Sequence, residues 1–152
     1  MSRGRVRLGE RIKASPETIF GFLTDLRRVP EWDTRVESVT QMTRGALRPG
    51  VILRTTLLVA GERVHADDEI TDFDPPTRLG LRSVLGGTDE VSYTLSEEED
   101  GFTRVDVVLA YDLALPADAG VEEASVRQSI ETALRQVLRR LKELIEDGEH
   151  AI

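Results

Sequence analysis

The chain has 152 residues, 39% of them hydrophobic, enough for one domain with its own core. It has no Cys, which excludes disulfides, thiolate metal sites and a cysteine nucleophile together. A net charge of −8 and a pI near 4.9 argue against nucleic acid as a partner, and no apolar run reaches the ~18–20 residues of a membrane span.

The first residues, basic from Arg3 to Arg7, are followed by no apolar signal segment, so a cytoplasmic single domain over 1–152 is expected. Arg outnumbers Lys and Asn is absent, the bias of a GC-rich bacterial genome. Val6, Leu8 and Ile12 alternate with Arg5, Arg7 and Arg11, the period-2 signature of a half-buried strand. Ser15-Pro16-Glu17 then reads as N-cap, Pro at N1 and first-turn acid of a helix carrying Ile19, Phe20, Leu23 and Leu26. The segment from Asp25 to Asp33, with Pro30 and Trp32, breaks it.

Strands are predicted over 35–43, 50–60, 62–73, 78–85, 89–97 and 103–113. Between them lie Gly45 to Gly50, Ala60-Gly61, Asp74-Pro75-Pro76, Gly86-Gly87 and the acidic tip Glu97 to Gly101. Loops this short imply antiparallel neighbours. Parity fails between Val36 and Val39, which predicts a bulge. A long amphipathic helix over 119–147 follows, striped by Val126, Ile130, Leu134, Val137, Leu141 and Leu144. Asp118 and Glu122 suit its N-terminal end and Gly148 its stop. Such a helix is roughly 40 Å long and needs a surface of similar length to lie on. The simplest packing is an α+β two-layer domain, one antiparallel sheet curved around the C-terminal helix.

These landmarks resemble the START-like, or SRPBCC, superfamily, whose members often carry the label polyketide cyclase/dehydrase. The resemblance runs through Ser15-Pro16-Glu17-Thr18-Ile19-Phe20, Leu23-Thr24-Asp25 and Pro30-Glu31-Trp32-Asp33. Asp74-Pro75-Pro76-Thr77-Arg78-Leu79, Gly101-Phe102-Thr103-Arg104-Val105 and the closing Leu141-Lys142-Glu143-Leu144 continue it, covering about residues 5–147. It implies a helix-grip fold: a seven-stranded antiparallel sheet wraps the long helix and leaves a cavity between them. Relatives use that cavity for lipids, sterols and polyketides, and a few catalyse cyclisation or aromatisation there. Their catalytic residues match no position of this sequence.

If the more apolar face of each strand looks toward the helix, parity points one set of side chains inward. From 50–60 these are Val51, Leu53, Thr55, Leu57 and Val59; from 62–73, Val64, Ala66, Asp68 and Ile70. The later strands add Leu79, Leu81, Ser83, Leu85, Val91, Tyr93, Leu95, Val105, Val107, Leu109, Tyr111 and Leu113. Polar residues in apolar company are the informative ones: Glu10, Thr55, Asp68, Ser83, Tyr93 and Tyr111. Each has a second reading. The tyrosines fit a core role, Glu10 a solvated strand end, and Asp68 either a cavity-facing acid of raised pKa or a residue turned out by a bulge. The ligand-contact set is therefore Trp32, Thr55, Leu57, Asp68, Leu81, Ser83, Tyr93, Leu109 and Tyr111.

His65, Asp67 and Glu69 share the polar parity, which assigns them to a solvated outer face rather than to a metal. No Walker loop, dinucleotide fingerprint or zincin motif is present, so neither cofactor nor metal is expected. With His65 outward and His150 in the tail, no base-driven triad is credible. Binding of a small hydrophobic molecule, by a monomer or homodimer, is the leading reading. A polyketide cyclase or aromatase working through Asp68, Glu10 or a tyrosine is the second. The third, an interaction module like the family's stress-linked co-chaperones, needs an apolar outer patch, for which Val108 and Ala110 offer little.

Overall fold

A computed structural model describes residues 2–84, 89–113 and 123–149. Seven strands form one antiparallel sheet in the order β1-β7-β6-β5-β4-β3-β2. They are β1 (Ser2–Ile12), β2 (Val36–Gln41), β3 (Ile52–Val59), β4 (Glu62–Asp74), β5 (Arg78–Ser83), β6 (Glu90–Glu97) and β7 (Thr103–Leu113). Two short helices, α1 (Pro16–Thr24) and α2 (Val29–Trp32), link β1 to β2, and α3 (Glu123–Glu149) closes the fold. The α+β helix-grip architecture is therefore as expected, with strand ends trimmed by one or two residues at several places. Gly148 does not end α3, which continues to Glu149. Without a Pro behind it, a single glycine only weakens helix propensity. Asp118, Glu122, Leu85, Gly86-Gly87 and His150 lie outside the described residues, as do the side chains of Val59 and Leu113.

Local chemistry sets the elements. Ser15 Oγ accepts from the Thr18 amide and caps α1, with Pro16 at its first position. Ala60 and Gly61 both take positive φ, at 51° and 82°, and form a two-residue turn between Val59 and its partner Glu62. Two register shifts bend the sheet, between Val36 and Ser38 in β2 and between Ile70 and Asp72 in β4. Each puts an extra residue on one strand and raises the local twist, so the sheet curls rather than lying flat. Gly80 of β5 lies opposite the second bulge. A Cβ there would stand 3.0 Å from Thr71 Oγ1 and 3.1 Å from Asp72 Cβ, so a larger residue would require the bulged strand to give by a few tenths of an ångström.

The core lies between the concave sheet face and α3. Val6, Ile12, Ile70, Val105 and Val107 from the sheet, Ile19, Phe20 and Leu23 from α1, and Leu134, Val137, Leu138, Leu141 and Ile145 from α3 are buried in one cluster. Polar ties fix the helix along β1. Lys142 Nζ donates to the Arg11 carbonyl at 2.6 Å, Arg127 donates to the Arg5 carbonyl at 2.9 Å, and Glu146 accepts from the Lys13 amide at 3.0 Å. Thr103 is fully buried, its hydroxyl bonded to the Ala14 carbonyl at 2.7 Å, which pins the start of β7 to the β1–α1 corner.

The convex face is a lattice of charge. Arg54 grips Asp67 through two bonds of 2.9 and 3.1 Å, Arg63 grips Glu37 at 2.8 and 3.0 Å, and Arg82 reaches Glu69 at 3.3 Å. His65 sits 3.1 Å from Thr56 Oγ1 on the same face. The alternation of His65, Asp67 and Glu69 thus serves cross-strand pairing in solvent, where each pair adds little stability. No helix among the described residues is long and apolar enough to cross a membrane.

Candidate functional site

Between the curled sheet and the helices lies a cavity of about 340 Å³. Its floor is the inner face of β3 to β7: Leu53, Thr55 and Leu57; Ala66, Asp68 and Ile70; Leu79 and Leu81; Val91 and Tyr93; Leu109. Leu23, Thr24, Leu26, Val29 and Trp32 cover it from the α1–α2 segment, Val36 and Val39 from β2, Leu47 from the β2–β3 loop, and Leu134 from α3. The lining is mainly aliphatic with a few polar groups, the usual make-up of a small-molecule pocket.

Of the nine residues expected at a ligand, Trp32, Thr55, Leu57, Asp68, Leu81, Tyr93 and Leu109 line the cavity. Ser83 and Tyr111 do not. Ser83 stands in register between Asp68 and Asp89, and so short a side chain does not reach past them. The Tyr111 ring occupies the place where its partner Gly4 would carry a Cβ, so it fills a hole in the sheet over β1. Val64 has the inward parity but is 44% exposed, because the β3–β4 hairpin tip runs past the cavity. Glu10 faces Lys142 of α3 at 3.8 Å, away from the pocket.

Three charged residues were not anticipated. Asp89 lines the cavity just before β6, and counting back by twos from Tyr93 and Val91 would have found it. Asp33 and Arg35 form the lip beside Tyr93, in a segment with no periodicity to read. Arg35 holds both Asp33 oxygens at 3.0 Å, and this pairing raises its pKa further. Trp32 separates the cavity from a smaller space of about 270 Å³ between Asp33–Arg35 and the Val137–Arg140 stretch of α3. Its indole N–H and the Tyr111 hydroxyl are buried without a hydrogen-bond partner among the described residues.

Asp68, Asp89 and Tyr93 are perturbed in one direction. Burial, then the like charges of Asp67 and Asp89, push the Asp68 carboxyl above its ordinary range. Burial alone does so for Asp89. Burial, with Asp33 adding to it and Arg35 opposing, pushes the Tyr93 phenol up to about 12, so it stays protonated.

A carboxylate whose pKa rises on folding subtracts stability above the folded pKa, and the penalty vanishes below the unfolded one. Replacing Asp68 by Asn is therefore expected to raise the melting temperature at pH 7. With solvent screening the gain is about 1 kcal/mol or less, roughly 2–4 °C. It should shrink as pH falls through the carboxylate range. Melts at pH 7, 5 and 3.5 check this, and a variant less stable than the parent at pH 7 contradicts it.

Comparison with known proteins agrees with this geometry. Residues 3–146 match the family model described as polyketide cyclase/dehydrase and lipid transport. A START superfamily protein from Mycobacterium smegmatis superposes with a TM-score of 0.79 at 18% identity, over 94% of this chain and 97% of that one. A protein from Thermus thermophilus gives 0.78 at 24% identity, over 95% and 99%. A Staphylococcus aureus protein of unknown function gives 0.81 at 11% identity, over 97% and 96%. A search of the curated proteins finds no match.

Proposed function

The chain belongs to the polyketide cyclase/dehydrase and lipid transport family, with a START-like fold, and from that premise we propose that it binds a small, largely apolar molecule in the cavity between sheet and long helix. The observation that carries this reading is the cavity itself. It is a space of about 340 Å³ beside the buried cluster, with aliphatic walls and a few polar groups. Protein interiors normally fill such space, because each void forfeits dispersion contacts, so a space this large is maintained at a cost to stability. Transport or sequestration of a ligand gives that cost a purpose.

Among the described residues no histidine lines the space, and Tyr93 is held protonated, so any acid–base chemistry there would fall to Asp68 or Asp89.

Native mass spectrometry of the purified protein, with a thermal-shift screen of long-chain alcohols and amines, sterols and aromatic polyketides, tests the reading. A ligand at a hundred times its Kd adds about 2.7 kcal/mol, which raises the melting temperature by roughly 5–10 °C in a chain of this size. Absence of any co-purified ligand together with no shift from any compound would overturn it.

A further inference from the structure

We propose that the ligand carries a protonated amine on its apolar body, and that this head group sits against Asp68 and Asp89 at one end of the cavity. The proposal rests on the ligand-binding reading of the same site. Register puts the two acids in one row across the sheet, with Ser83 between them. Asp68 of β4 pairs with Ser83 of β5, and the Ser83 amide donates to the Asp89 carbonyl at 2.9 Å. They are two strands apart, about 10 Å between backbones, so a single cation between their side chains is within reach of both.

The charge around the space is unbalanced. Three carboxylates line it, Asp33, Asp68 and Asp89, against one cation, Arg35, which Asp33 already holds with two hydrogen bonds. Among the described residues neither Asp68 nor Asp89 makes an ion pair, in a protein whose surface acids are widely paired with arginines. Asp68 is half-buried without an ion-pair partner, which is costly, while Asp89 stands at the cavity's exposed edge. An incoming ammonium supplies both with charge-assisted hydrogen bonds and offsets the cost at Asp68. An alcohol supplies a hydrogen bond but no compensating charge, and a carboxylate is repelled.

An independent observation points to a ligand in the same space. Tyr93 is 8% exposed and lines the cavity, yet no hydrogen bond among the described residues reaches its hydroxyl. It stands four residues along the strand from Asp89, about 13 Å, so a polar group further down an extended ligand would meet it.

The test uses three ten-carbon probes at pH 7: decylamine, decan-1-ol and decanoate. Binding is followed by calorimetry and by the fluorescence of Trp32, the chain's single Trp and part of the cavity wall. Decylamine is expected to bind at least about tenfold more tightly than decan-1-ol, with decanoate weakest. The Asp68→Asn/Asp89→Asn double variant should lose the amine's advantage and still bind the alcohol. Replacing Glu97 and Glu99 at the exposed hairpin tip by Gln controls for general attraction to an acidic protein and should leave the preference intact.

Equal affinities, a preference for decanoate, or an amine advantage that survives in the double variant overturn the head-group assignment and leave the binding reading standing. Failure of all three probes to bind a protein shown folded by circular dichroism also overturns the head-group assignment, and the binding reading falls with it only if the ligand screen and native mass spectrometry are blank as well.

Discussion

Cutting Leu141 back to Ala is expected to cost about 2–5 kcal/mol, a large share of the roughly 5–15 kcal/mol that a domain commonly has. Leu141 is fully buried, with Leu138 and Ile145 beside it on the stripe of α3 that meets the sheet. The neighbours that would have to close the gap are themselves fixed. Lys142 and Glu146 tie the same turns of the helix to backbone groups of β1 and the residue after it, so the helix cannot slide inward to fill the void. Urea denaturation measures the effect as a lower midpoint with an unchanged slope. A loss below about 1 kcal/mol would mean that this end of α3 is not packed on the sheet as described.

Ala66→Trp should do the opposite kind of damage. Ala66 lines the cavity from β4, opposite Thr55 of β3, and its side chain is only a methyl group. An indole at this position projects into the open space and takes up much of its 340 Å³. Strands accept aromatic residues well, and the new ring buries apolar surface, so stability should match or exceed the parent. Ligand affinity should fall at least about a hundredfold, or about 2.7 kcal/mol. Calorimetry with whichever compound gives the largest thermal shift decides it. Retained affinity in a stable variant would place the ligand elsewhere.

Most of the fold was legible in the sequence because its two periodicities are strong. The alternation of β3 and β7 and the stripe of α3 are imposed by burial on one face, and the broken parity of β2 marked its bulge correctly. Parity also found six of the seven expected ligand contacts that line the cavity, the seventh, Trp32, lying outside any strand, but it reports only which face a side chain occupies. It does not say how far along the sheet the cavity extends, so Val64 at a hairpin tip was placed inside. Nor does it report what the neighbouring strand contributes. Gly4 lies more than a hundred residues from Tyr111 in the chain, and that glycine draws the ring away from the pocket. The Asp33–Arg35 lip had no pattern to betray it, since its geometry depends on how a nonrepetitive segment crosses from α2 to β2. Asp89 carried a usable signal in the parity of β6, one residue before the strand begins.

The sheet order has a consequence for how the molecule comes into being. β1 is bonded only to β7, with Ile12 opposite Thr103 and Ser2 opposite Leu113. During synthesis the first strand therefore waits, unpaired, until nearly all the others have left the ribosome. Pairings this distant along the chain carry a high entropic cost before any reward, and folds dominated by them typically assemble in milliseconds to seconds rather than microseconds. Until α3 docks along β1, the cavity lacks the part of its wall that Leu134 supplies, so the space takes its final shape late in synthesis.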